Sequence, residues 1–564
     1  MAGIVCLACA ALAKAQDQGE AARAVVPSPN PSARLRGIID HNQTWSGRVM
    51  VTGDLTILDA EVSIEPGTVI EFADASPGPG PVLAFGAPDR PCGRLSLLSS
   101  AESPIIFRTK PGTKPGRIEA HLTRRDVRRW VGSTPKADGA KTEEFVWQHL
   151  RFEDLGVPSE PLGPAPRSRR AVDGPAVALH VYGQKTGLIL TECEFERSGE
   201  LRVVCETGSS VRVTNNLLAD SRDRVAIAIL QGDGAQPTES VLVEGNRSSS
   251  AILVRGLSTQ VGGNVLIGPD AAIVLQGGPM PRSEVTGNFV WNTSDRDDGR
   301  YCLDCRNPEA VIRDNVLRGG ASCVFTGART MRGNAIIAAT RLTGPDGASR
   351  LTRELVRALP TSSLFERNLL IGPAYSMIVP QPTVADAEES RRGDWTIVRH
   401  NVLDGMGESV RGIHLNPPGR ADASVEAHSN LFLRTSHPIY DNRAGGGGAH
   451  LKADYNAAAP SPGRPLDRTI GAARELAIGG TASHDIVKSD IAGLFLASLP
   501  PVRLPEFKEA VWSGRLSVDQ CRSALFEAYR PRPTSPLVQA GKALSSADAG
   551  SSRPSIGWAE PAPE

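Results

Sequence analysis

From about residue 200 to residue 460 the chain alternates apolar and polar positions in short bursts. These are AIAIL at 226–230, AILVRG from 251, AIVLQG from 272, YCLDCR from 301, SMIVP from 376 and GIHLN from 412. A period of two over four to eight residues marks half-buried strands, and the 3.6-residue period of helices is missing there. Between the bursts a second phrase recurs, an apolar residue shortly before an Asn and further apolar residues directly after it. It centres on Asn216, Asn246, Asn264, Asn288, Asn315, Asn334, Asn368, Asn401, Asn430 and Asn456. Successive Asn residues stand 18 to 34 apart, so a rung of fixed size carries loops of variable length.

Two or three short strands per repeat, with one Asn at a fixed turn, predict an all-β chain wound as a right-handed parallel β-helix. At such a turn the Asn amide bonds the backbone of its own rung and stacks on the Asn of the next, about 4.8 Å away. The ten Asn residues therefore read as structural. A leucine-rich repeat is excluded by the uneven spacing. Residues 176–460 form the predicted core with its Asn ladder, preceded by an N-terminal cap and first rungs at 39–110 and early rungs with basic insertions at 111–175. Residues 461–564 hold the last rungs and a terminal segment. Within that last stretch, 504–529 has helical spacing and is expected to cover the open end of the coil, protecting it from edge pairing.

Composition changes this picture little. The 57 glycines and 43 prolines among 564 residues exceed the usual share of about 12% and suit a turn-rich β protein. Equal numbers of acidic and basic side chains give no global attraction to nucleic acid or anionic membrane. The apolar run at 1–15, ending Ala13-Lys14-Ala15, resembles a signal peptide over 1–16 without its basic flank, and 17–38 reads as a flexible linker. A secreted or periplasmic monomer without integral membrane association is expected. Cys302 and Cys305 have C-x-x-C spacing, but a strand sends i and i+3 to opposite faces, so core cysteines are expected in place of zinc.

The opening TWSGRVMVTGDLTILDAEVSIEPGTVIEF resembles the start of the pectin-lyase-like superfamily of right-handed parallel β-helices. The positions that carry it are Trp45, Gly47, Gly53, Asp54, Leu55, Thr56, Ile57, Ile64, Glu65, Pro66, Gly67, Val69, Ile70 and Phe72. GRLSLLSSAESPIIF at 93–107 continues the likeness, and Ser535, Pro536, Ala540 and Gly541 with the final IGWAEP resemble the end of such proteins. The resemblance implies an exported protein acting on polysaccharide, in first place a uronic-acid polysaccharide lyase. The superfamily also holds hydrolases, epimerases and non-catalytic members, so a glycan-binding or surface-structural β-helix is the alternative.

Any chemistry in the middle of the chain must do without Lys between Lys185 and Lys452 and without His between His180 and His400. If Ile252, Val254, Ile273, Leu275, Tyr301 and Leu303 point inward, Arg255, Gln276 and Asp304 form an outward column, extended by Arg306. The loop SDRDDGR puts Asp295, Asp297, Asp298 and Arg300 beside it. For a uronate lyase, Ca²⁺ on Asp297, Asp298 and Asp304 would neutralise the substrate carboxylate, and Arg255 or Arg306 would remove the proton at C5, with Gln276 and Arg300 binding substrate. No organic cofactor is expected. The bland alternative is cross-rung pairing of Asp and Arg on a wet surface.

A second constellation joins His414 and Asn416 on one rung to His437, Tyr440, Asn442 and Arg443 on the next, followed by His450 and Lys452. His414 as base and Tyr440 as acid would serve elimination, with Asn416 and Arg443 holding substrate. His400 and His428, beside the ladder, read as turn fillers. NTSDRDD at 292–298 superficially matches the acidic motifs of polygalacturonase-type hydrolases, but lies in one loop with no R-x-K after it, which disfavours that class. The basic runs HLTRRDVRRW from 121 and RSRR at 167–170 could hold a polyanion or form solvated loops.

Overall fold

In the computed structural model the described residues are 34–74, 80–88, 90, 94–123, 144–156, 177–184, 187–205, 209–221, 224–232, 240–276, 283–296, 301–339, 342–344, 346–358, 363–380, 396–406, 411–415, 425–441, 451–459, 486–487, 494–495 and 504–538. The signal-like run, Cys92, the basic runs beyond Thr123, and Asp297, Asp298, Arg300, Asn416, Asn442, Arg443 and His450 lie outside them.

Each rung contributes three short strands, and equivalent strands stack in parallel from rung to rung. Ile273–Gln276, Ser283–Thr286 and Phe289–Asn292 make one rung, and each pairs with its counterpart in the next: Leu303–Cys305, Val311–Arg313 and Val316–Arg318. The second of the three stacks forms a 12-stranded parallel sheet. The first and third are joined into one 30-stranded sheet because the long strand Arg48–Ile57 pairs with both Val69–Phe72 and Val82–Phe85. This is the parallel β-helix the repeats predict, with the right-handed sense that crossovers between parallel strands adopt.

Inward positions form unbroken apolar rows. Leu201, Ile227, Ile252, Ile273, Leu303 and Val324 are opposite one another on consecutive rungs and fully buried. Cys302 and Cys305 lie in the same core cluster, and burial pushes the Cys305 thiol up to about 12. Tyr301 departs from the expected inward setting. The strand begins only at Leu303, so the alternation does not reach back to Tyr301, whose ring packs 5.2 Å from Phe325. Residues 34–38, expected in a linker, belong to the strand Arg34–Ile39, which pairs with Arg48–Ile57.

All ten Asn residues form a continuous ladder between the second and third stacks. Each Oδ1 from Asn246 onward accepts the backbone N–H and the Nδ2 of the preceding Asn, as at Asn264 to Asn288 (3.0 and 2.9 Å) and Asn430 to Asn456 (3.0 and 3.1 Å). The residue just before each Asn has positive φ, supplied by Gly at 245, 263, 287 and 333 and by larger residues such as His400 (φ 55°) elsewhere. His400 thus fills a turn, whereas His428, expected to do the same, ends the strand Val425–His428, with Ser429 taking the positive φ before Asn430 and the His428 ring edge-on to His400 at 6.2 Å.

The C-terminal helical region is two helices, α1 (Leu504–Trp512) and α2 (Val518–Glu527), broken at Gly514 (φ 76°) and restarted by a Ser517/Gln520 capping box. They do not cover the open end. They lie across the outer face of the third stack, where Phe289, Val316, Leu369 and Val402 share a core cluster with Val511, Cys521, Leu525 and Tyr529. The Tyr529 hydroxyl donates to buried Asp404 at 2.8 Å, and Arg434 pairs with the same carboxylate. No helix among the described residues is long and apolar enough to cross a membrane.

Candidate functional site

The third stack is covered from about Val265 onward and its earlier charges are paired across rungs (Arg151 with Glu196, Arg197 with Asp154). With charges on the second also paired along the rungs (Arg313 with Glu284, Arg399 with Glu366), the outer face of the first stack holds the remaining concentration of reactive side chains. One outward row runs along it. Glu119, His180 and Arg202 are opposite one another at its N-terminal end. Val274, Asp304, Phe325 and Arg357 follow in the middle, and His414 and Tyr440 close it. Nine rung steps of about 4.8 Å separate His180 from His414, roughly 43 Å along the axis.

In the middle, the expected column is offset. Gln276 opposes Arg255, but Asp304 opposes Val274, so Arg306 is the residue in line with Arg255 and Gln276. Asp304 is 8% exposed, not open on the surface as expected. Arg306 explains this, donating to both carboxylate oxygens (Nε to Oδ1 3.0 Å, Nη2 to Oδ2 3.1 Å), while the Gln276 amide donates to Oδ2 at 3.1 Å. The Arg306 pKa is raised by this hydrogen bonding with Asp304, the opposite of what a proton-abstracting base requires. A calcium ion at Asp304 would have to displace a bidentate guanidinium, its other expected ligands Asp297 and Asp298 lie outside the described residues, and no step below uses the ion. Arg255 is exposed.

At the C-terminal end the structure brings together residues from three rungs. His414 and Tyr440 are direct cross-strand partners with ring centroids 5.2 Å apart. The Arg411 guanidinium lies 4.0 Å from the Tyr440 ring centroid and 4.2 Å from that of Tyr375. Ser376 Oγ is 2.9 Å from His414 Nδ1, and the His437 ring is 5.4 Å from Tyr440. His414 and Tyr440 are only 4% and 7% exposed, whereas Tyr375 is 48% exposed. Lys452 is on the second stack, away from this group. Tyr375, Ser376 and Arg411 were not anticipated; the paired aromatic and basic positions in AYSMIVP and RGIHL were the available signal.

A third group was also missed, in IEAHLT and VALHVYGQ. Their alternation puts Glu119, His121, His180 and Tyr182 on the outer face. His121 and Tyr182 stack with centroids 4.5 Å apart at 4°, and the Tyr182 hydroxyl lies 3.1 Å from His180 Nδ1. Burial, followed by the nearby Arg202 charge, lowers the His180 pKa to about 4, and burial also lowers that of His121 and raises that of Tyr182. Among the described residues His, Cys, Asp and Glu form no group of three or more able to hold a metal ion.

No known protein-family pattern and no curated protein sequence matches the chain. Among solved structures it is similar to the crystal structure of pectate lyase Pel9A, at 10% identity over 89% of this chain and 88% of that one, with a TM-score of 0.18. An overlap that loose adds nothing to the β-helix, which rests on the chain's own strand pairings.

Proposed function

We propose that this β-helix binds an acidic linear polysaccharide along the outer row of its first stack and cleaves it by β-elimination at the C-terminal end. The observation that carries the reading is the His414–Tyr440 pair, opposite one another on adjacent rungs with Arg411 against the Tyr440 ring. Elimination from a uronate ring needs a cation at the carboxylate, a base for the proton beside it and an acid for the leaving oxygen. Arg411 supplies the cation. His414 takes the proton at C5, the released electron pair forms the C4–C5 double bond, the C4–O bond breaks, and the leaving oxygen takes the Tyr440 phenolic proton. Exchange with water returns both side chains to their starting states.

A second reading is favoured by the low exposure of both rings: the same surface grips glycan and turns nothing over. The purified chain is incubated with polygalacturonate and alginate while unsaturated-product absorbance and reducing ends are followed. New absorbance that disappears in both His414→Gln and Tyr440→Phe is the expected result. Reducing ends without absorbance would overturn elimination in favour of hydrolysis, and saturable binding without product would leave the binding module.

A further inference from the structure

His121, one rung before His180, stands roughly 48 Å from His414 by rung count, too far to belong to the same centre. Its rings are stacked along the coil axis, so their planes lie across it. On the preceding rung, Ala84 opposes Glu119 and Gly86 follows Phe85, the partner of Ala120. The ring of His121 therefore borders a step where the outward side chains are a methyl group and a hydrogen. Beyond Arg202 the row drops again to Ala228. Flat rings beside small residues are the form a sugar-binding shelf takes, since a pyranose lays its C–H face on a ring while its hydroxyls seek polar groups at the rim.

The polar groups are in place. Glu119 is partly exposed and paired with Arg117 at 3.1 Å, and Arg202 is held by Glu200 at 2.7 Å. His180 Nε2 is buried with no hydrogen-bond partner among the described residues. With that ring neutral, a phenol O–H donated to Nδ1 leaves the imidazole hydrogen on Nε2, a donor with no acceptor. Such a group is costly unless something supplies the acceptor.

We propose that His121, His180 and Tyr182, with Glu119 at the rim, form a separate carbohydrate subsite that stacks one sugar ring of the bound polymer on the face of His121 turned away from Tyr182. The inference rests on the polysaccharide reading and adds a second anchoring point for a long chain. It predicts that polymers reaching both ends of the row bind more tightly than fragments that reach one.

The test measures binding of long polygalacturonate and alginate, and of their trisaccharides, to wild type and to His121→Ala and His121→Phe. Loss of the ring should weaken polymer affinity about tenfold, and the Phe variant should retain it. On wild type, bound polymer should also shield His121 from acylation by diethyl pyrocarbonate, mapped by mass spectrometry, a readout independent of any effect on folding. Unchanged polymer affinity in His121→Ala, or unaltered acylation under saturating polymer, overturns the subsite and leaves the polysaccharide reading standing. A wild type that binds neither polymer overturns both.

Discussion

The backbone N–H of Cys193 donates to Oδ1 of Asn216 at 2.9 Å, the bond that each later rung makes from one Asn to the next. Cys193 thus occupies the first ladder position. Its thiol takes over the amide's donor role, lying 3.3 Å from the Thr191 carbonyl and 3.6 Å from that of Trp147. Asn288 Nδ2 reaches the equivalent carbonyls, those of Thr286 and Val261. A thiol is a weaker donor and offers no oxygen to the rung before it, so the ladder ends there.

This makes ladder substitutions position-dependent. Asn288→Leu should destabilise by about 1–3 kcal/mol for each buried backbone group left unpaired, because the Asn264 N–H loses its acceptor and the Val261 and Thr286 carbonyls each lose a donor, Thr286 keeping the Gly263 N–H at 3.1 Å. Cys193→Ala loses only a weak donor and should cost less. Denaturant midpoints of the two variants check the order, and equal losses would count against a ladder that ends at Cys193.

The middle of the row should bind without performing the chemistry. Asp304 is occupied by Arg306 and Gln276, so Arg306→Ala is expected to raise KM on polymer while leaving kcat within about twofold, the signature of lost uniform binding. A chelator should leave turnover unchanged. Loss of kcat in Arg306→Ala, or dependence on added calcium, would return the centre to the rungs around Asp304.

Much of this architecture is legible in sequence because its causes are local. The Asn phrases mark turns, and period-two bursts such as AIVLQG assign Ile273 and Leu275 to the core. The cover over the third stack was legible too, and was misjudged. Phrases such as NFVW and NLLI put consecutive apolar residues after the Asn, the pattern of a strand buried on both faces, and those outward residues are what α1 and α2 cover. The offset of Asp304 could not be read from the sequence. Pairing between rungs depends on where each strand starts after loops of different length, and alternation gives a residue's face but not its partner. The His121 group went unnoticed because its members lie on rungs separated by a long insertion.

Stability should depend on pH through His180. The folded ring has a pKa near 4 against an ordinary 6.5, so between these values the unfolded chain binds more protons and stability rises with pH. The contribution is complete above 6.5 and is lost as pH falls toward 4. His121, also lowered by burial, acts with the same sign. The charged or titratable neighbours are Glu119, Arg117, Arg202 and Tyr182. Buried carboxylates act lower: burial would raise the Glu71 pKa, but hydrogen bonds from Arg48 and Arg108 outweigh it, leaving it below 4.5. Melting temperatures should therefore fall between pH 6.5 and 4.5, and less steeply in His180→Gln. Identical slopes for the variant and wild type would remove His180 from the account.

The helical cover should be fastened chiefly at Asp404. Its carboxylate is fully buried and accepts from the Tyr529 hydroxyl and the Arg434 guanidinium, so it ties the segment after α2 to the third stack. Asp404→Ala leaves a largely buried cation and a phenol without their acceptor, a loss of about 3–5 kcal/mol. Tyr529→Phe keeps the Arg434 pair and removes one hydrogen bond to a charged group, costing about 1.5–3 kcal/mol. Hydrogen exchange separates the two mechanisms. In Tyr529→Phe, amides of α1 and α2 should exchange faster while the inward rows through Ile273 and Leu303 stay protected. In Asp404→Ala the rungs carrying Val402 and Leu431 should open as well, because Arg434 and Asp404 belong to those rungs. If α1 and α2 keep wild-type protection in both variants, the apolar contacts of Val511, Cys521 and Leu525 together with the Arg522–Asp314 pair hold the cover without the Asp404 clasp.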